Sequence, residues 1–203
     1  MSEIRSCTVE SFLAEVASAS PTPGGGSVAA FCAAAAAGLA LMVCAIGSNK
    51  GENSSLRGLI VRFERLKETF LDFADQDAEA YNAVMEAYRL PRNTNTRFEA
   101  IDVALRHAAE VPLAVAKHCL ELMELLVQLA SLGSRSCISD IGVAALLGKA
   151  AFDGALLNVE INLAAMKDNK VVAQITARKH DTLTRGADLA EQALSCVRER
   201  MKS

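Results

Sequence analysis

Apolar residues fall in helical registers along most of the chain. Leu59, Phe63, Leu66, Phe70 and Phe73 recur at spacings of three and four, which predicts one long helix from the polar connector at 48–55 to Tyr88. Ahead of it, Thr8 starts a short helix through about Ser18. The turn PTPGGGS then leads into a central helix of small apolar residues, Val28 to Ile46, ending near Gly47. Pro91 and the NTNT run break the third helix. Phe98 to about Ala130 reads as the next, with Pro112 predicted to kink it by removing a donor and crowding the preceding turn. GSRSC ends that helix, and Ser139 or Asp140 is placed to cap another through about Met166. The segment 167–170 turns into a final amphipathic helix reaching Cys196. Long helices with short connectors favour antiparallel neighbours. The expected fold is all-α: one domain over residues 1–203, an antiparallel bundle of about six helices around a buried alanine-rich central helix.

Composition supports this fold. Hydrophobic residues make up 51% of the 203 but aromatics only 4%, and tryptophan is absent, a mixture suited to closely approaching helices. With 24 acidic against 21 basic residues, the net charge of −3 offers no field for nucleic acid. Six cysteines without a CxxC pair sit mostly in apolar runs as small hydrophobes, and no signal segment opens the chain; a reducing cytoplasm is the expected compartment. Val28–Ile46 carries no charge over 19 residues, nearly a membrane span, but its alanine content and missing aromatic belt favour a buried helix, with Gly38 admitting a neighbouring backbone. No membrane association is expected.

Candidate chemistry begins at the turn. Pro21 and Pro23 fix the backbone, Gly24, Gly25 and Gly26 let a ligand approach it, and Ser27 is placed to cap the following helix, whose N-terminus favours an anion. Turn geometry alone explains the same residues. Asp77, Tyr81 and Tyr88 share one helix face, as either a polar wall or an exposed face. Asp140 reads as a cap or a proton relay. Asn158 and Asn162 form an i, i+4 pair that suits core hydrogen bonding or substrate binding. Asp140 and Asn158 lie about 27 Å apart along one helix, so a single subunit cannot bring both to one centre, whereas an antiparallel dimer can. His107 and His118 are about 16 Å apart and His180 stands alone, so no metal site is expected. A P-loop lysine is missing after the glycines.

PTPGGGSVAA, the stretch from Asp77 to Arg92 and the stretch from Ser139 to Leu163 together resemble the cyclodeaminase/cyclohydrolase family of folate enzymes, over about Thr8 to Cys196. The resemblance implies an all-helical cytoplasmic homodimer acting on one-carbon tetrahydrofolates, with no metal or redox cofactor. Where the family shows GNxNxxSD, this chain has Gly133 to Asp140 with Ser134 and Ser136 at both asparagine positions, followed by Ser139 and Asp140. In the connector, Lys50 matches a family lysine and Asn53 stands near the usual tyrosine.

On this resemblance the expected activity is hydrolysis of 5,10-methenyltetrahydrofolate to 10-formyltetrahydrofolate. Formiminotetrahydrofolate cyclodeamination and a non-catalytic folate- or partner-binding dimer are the alternatives. The lack of a fused transferase segment favours the hydrolase. Asp140 is expected to activate water or relay its proton, Asp77 to stabilise the substrate cation, Lys50 to donate a proton and Tyr81 to position the pterin. The glycine turn with Pro23 and Ser27, together with Ser134, Ser136, Ser139, Asn158 and Asn162, is expected to shape the binding site.

Overall fold

The computed structural model describes residues 4–48 and 54–202. Its described α-helices are α1 (Val9–Val16), α2 (Gly25–Ser48), α3 (Ser54–Arg89), α4 (Asn95–Leu132), α5 (Ile138–Ala165), α6 (Asn169–Gly186) and α7 (Leu189–Lys202), with no strand among them. Helix α2 packs on α3 and α5, and α4 on the same two, so these four close a ring whose consecutive members are joined by short connections. Helices α6 and α7 lie against α4 and α5, with α7 the more extensively packed.

Several boundaries have clear causes. Thr8 caps α1 by accepting from the Ser11 N–H, Thr94 caps α4 by accepting from Arg97, and Asp168 caps α6 by accepting from Lys170 and Val171. At the end of α4, Arg200 donates from Nη1 to the Ala130 carbonyl at 2.5 Å and from Nη2 to that of Gly133 at 2.8 Å. It thereby serves carbonyls that the terminating helix leaves open.

The core is made by the pattern expected from the sequence. Phe63, Leu66 and Phe70 of α3 are fully buried, and Ala30, Ala33, Ala36, Ala37 and Ala40 bring α2 close to its neighbours. Helix α4 continues unbroken through Pro112, which is itself buried.

Four expectations need correction. The final helix is two, because Gly186 is pressed against Phe152 and Leu120: an added Cβ would sit 2.5 and 2.8 Å from their side chains. The chain restarts at Leu189, where the Asp188 carbonyl accepts from Gln192. Helix α2 begins at Gly25, so Ser27 lies inside its first turn rather than capping it. Helix α5 begins at Ile138 with Cys137 at the cap position, so neither Ser139 nor Asp140 caps it. Helix α2 is also not enclosed on all sides: Ala35 and Met42 face outward, and Gly38 has open space beside it. Gly25–Gly47 is long and apolar enough to cross a membrane, and half of that stretch is buried within the fold.

Candidate active-site cleft

The glycine turn, α3, the first half of α4 and the end of α5 enclose a cleft of about 560 Å³. Its roof is built by the turn. The Thr22–Pro23 peptide bond is cis, and Ser20 Oγ donates to the Thr22 carbonyl at 2.7 Å. Gly24 accepts from the Val28 N–H, which sets the start of α2 over the cleft.

Asp77 sits directly beneath that start. Its Oδ2 accepts from Ser27 Oγ at 3.0 Å, and the Ser27 backbone N–H also donates to the carboxylate. The hydroxyl lies 3.0 Å from the Ala74 carbonyl as well. A Cβ added at Gly26 would lie 2.1 Å from Asp77 Oδ1; the glycine is what leaves room for the carboxylate. Gly26→Ala is therefore expected to displace Asp77, destabilising the fold by about 1–3 kcal/mol and lowering catalytic efficiency by at least about tenfold. Thermal melts and steady-state kinetics of that variant would check both effects.

Burial holds the Asp77 carboxyl above its ordinary pKa, opposed by the two hydrogen bonds from Ser27. Among the described residues the carboxylate has no ion-pair partner. A desolvated negative charge without a counter-cation, set in the wall of a cleft, is a receptor for positive charge and a potential base.

Two carboxamides face it across the cleft. Asn162 Nδ2 lies 2.7 Å from the Ala108 carbonyl and 2.9 Å from that of Asn158, so both its hydrogens are committed to backbone and Oδ1 is the open acceptor. Asn158 Nδ2 donates to the Gly154 carbonyl at 2.9 Å and lies beside Gly25. The remaining walls are apolar or aromatic. Tyr81 and Tyr88 come from the same face of α3 as Asp77, and Val84, Met85, Leu105 and Ile161 are among the apolar residues of the lining.

The predicted residues divide into two groups. Gly24, Gly25, Gly26, Asp77, Tyr81, Asn158 and Asn162 come together at the cleft. Ser27 and Pro23 are buried behind it, Ser27 holding Asp77. Ser134, Ser136, Ser139 and Asp140 gather at the opposite end of α5, where Ser134 Oγ and Ser136 Oγ lie 2.9 Å apart. Lys50 and Asn53 lie outside the described residues. No group of three or more His, Cys, Asp or Glu among the described residues is placed to hold a metal ion.

The sequence reading did not single out Met85, Leu105, Ala108 or Ile161. Met85 was in principle visible four positions beyond Tyr81, and Ile161 three beyond Asn158, whereas Leu105 and Ala108 reach the cleft only through the pairing of α4 with α3 and α5.

Known proteins place the fold in context. The sequence profile described as formiminotransferase-cyclodeaminase matches residues 8–181. The chain is 34% identical over 202 residues to the methenyltetrahydrofolate cyclohydrolase of Methylorubrum extorquens, covering 96% of this chain and 97% of that one. It is 38% identical over 170 residues to the formimidoyltransferase-cyclodeaminase of Mus musculus, covering 80% of this chain but 31% of that longer protein. Its backbone is similar to the crystal structure of formiminotetrahydrofolate cyclodeaminase from Thermotoga maritima, with a TM-score of 0.82 and 26% identity over 97% of this chain and 98% of that chain. On the profile match and the near full-length relative, this chain belongs to the formiminotransferase-cyclodeaminase family.

Proposed function

We propose that this protein is a methenyltetrahydrofolate cyclohydrolase, converting 5,10-methenyltetrahydrofolate and water to 10-formyltetrahydrofolate and a proton. The observation that carries this reading is Asp77: a desolvated carboxylate without an ion-pair partner among the described residues, facing a cleft in a chain similar end to end to a stand-alone cyclohydrolase. The substrate's N5–CH–N10 bridge is a cation of the kind such a carboxylate attracts. Water adds to the bridge carbon while its proton passes to Asp77. The C–N5 bond then breaks as N5 takes a proton, and loss of the remaining hydroxyl proton leaves the formyl group on N10. Tyr81 flanks the ring system, and the Asn162 Oδ1 accepts from its N–H donors. The reaction so drawn calls for no metal or redox cofactor.

Cyclodeamination is the second reading, favoured by the backbone similarity to the Thermotoga maritima cyclodeaminase. It passes through an equivalent tetrahedral carbon but expels ammonia, and the same carboxylate serves it.

The working unit of this proposal is a twofold dimer. Val143, Leu146, Leu157 and Ile161 form an exposed apolar stripe along α5, between 47 and 67% accessible, and Ile161 also lines the cleft. A second copy lying antiparallel on this stripe covers it, closes the cleft and carries its own Ser134–Asp140 segment to the cleft mouth. In that arrangement Asp140 relays the proton that Asp77 takes from water.

The near-ultraviolet absorbance of 5,10-methenyltetrahydrofolate tests the activity. Protein-dependent loss well above spontaneous hydrolysis, without ammonia release, is the expected result. Loss no faster than the blank, with ammonia released from formiminotetrahydrofolate, would replace the first reading with the second.

A further inference from the structure

The cleft has an annex that the reaction above does not use. Beyond Tyr81 and Met85, and sharing both with the cleft, lies a second hollow of about 250 Å³, whose other walls include Asn82, Glu86 and Arg89. Along α3, Asp77, Tyr81, Met85 and Arg89 follow one another at intervals of four, so they form a stripe that winds about a third of the way round the helix while rising about 18 Å along its axis, from the cleft into the second hollow. The stripe has an order of its own: a carboxylate, an aromatic ring, a flexible thioether and a guanidinium. Arg89 is exposed and makes no ion pair among the described residues. Among the described residues, Glu86 is the only acidic one lining the same hollow.

This sequence of groups is complementary to a ligand that is cationic at one end, aromatic in the middle and anionic at the other. Resting on the folate reading above, we infer that Arg89 is the anchor for the substrate's glutamate carboxylates. The bridge cation lies at Asp77, the aminobenzoyl ring crosses the Tyr81–Met85 ridge, and the tail enters the hollow over Arg89. A planar guanidinium suits this task, since it meets a carboxylate with two parallel hydrogen bonds. Glu86 opposes the same charge and limits the strength of the contact, so the two residues set tail affinity in opposite directions.

Calorimetric titration of the purified full chain with two stable ligands separates the tail from the head. 5-Formyltetrahydrofolate carries the glutamate; 5-formyltetrahydropteroate is the same molecule without it. The wild-type protein is expected to favour the first by about tenfold or more, the size of a charge-assisted contact at a partly exposed site. Arg89→Gln is expected to bring the ratio close to one while leaving affinity for the tail-less ligand unchanged. Arg89→Lys should restore part of the ratio, and Glu86→Gln should widen it. If the wild type binds both ligands equally, or if Arg89→Gln keeps the full preference, the tail assignment is wrong and the folate reading stands. If neither ligand binds the wild type, both readings fall together.

Discussion

Asp77→Asn is expected to lower the turnover of 5,10-methenyltetrahydrofolate by about 10²–10⁴, the range associated with loss of a positioned acid–base group. The substitution keeps the shape and one acceptor oxygen for Ser27, but on the proposed mechanism it removes both the negative charge that meets the substrate cation and the site that takes the proton from water. Wild-type activity should itself fall as acid protonates Asp77, with a midpoint above the ordinary carboxylate range, because burial raises that carboxyl. Stability should move the opposite way. A carboxyl whose folded pKa is raised stabilises the fold fully only below its unfolded value, and that contribution is lost as pH rises through the folded value. At pH 7 the buried ionised Asp77 therefore works against folding. Asp77→Asn should melt at a higher temperature than wild type near neutral pH, and the gap should close as the pH approaches the ordinary carboxylate range. A variant that is both fully active and no more heat-stable would remove Asp77 from the mechanism and from the stability argument together.

The combination of lower activity and higher stability would be the mark of a charge kept for function. It also explains the glycine run physically. Glycine is a poor helix former, yet Gly25 and Gly26 lie inside α2, because at Gly26 any larger residue would occupy the space of the carboxylate. Counting glycines as turn residues shifts the expected helix start to Val28, with Ser27 as its cap; the cause of the actual start lies about fifty positions away in α3.

What could be read along the chain was whatever is encoded by spacing within one helix. The α3 register puts Phe63, Leu66 and Phe70 in the core and, on the same helix, Asp77, Tyr81 and Tyr88 in the cleft. The pairing of α4 with α5, which brings Leu105 and Ala108 up to Asn162, leaves no periodic trace. The break between α6 and α7 was signalled weakly, by Gly186 followed by Asp188, and its cause is tertiary: Gly186 is where α6 meets Phe152 and Leu120. Helix α5 hid its outward face because that face is apolar too. Val143, Leu146, Leu157 and Ile161 look like core residues in the sequence, but the ring formed by α2 to α5 leaves them exposed.

Those exposed residues lead to the second large effect. Asp140 and Asn158 are held about 27 Å apart by the helix between them, so Asp140 can serve the cleft only from a second copy. In the proposed dimer, a twofold axis crossing α5 near residue 149 would place Asp140 of each copy beside Asn158 of the other, with the apolar stripe buried between them. Asp77→Ala and Asp140→Ala are then each expected to be nearly inactive as pure proteins, by about 10²-fold or more. Unfolding and refolding the two together should restore activity. In a random mixture half of the dimers are mixed, each with one intact site and one lacking both aspartates, so recovery should approach about one quarter of wild type. Leu157→Asp combined with Ile161→Asp should give monomers by light scattering and lose activity to a similar extent, since each charge would be buried without a partner against the apolar face of the other copy. No recovery on mixing, from proteins that refold and dimerise normally, would place Asp140 outside the reaction. Full activity in a monomeric Leu157→Asp/Ile161→Asp protein would show that the cleft works with the residues of one chain, Asp77 and the two asparagines carrying it alone.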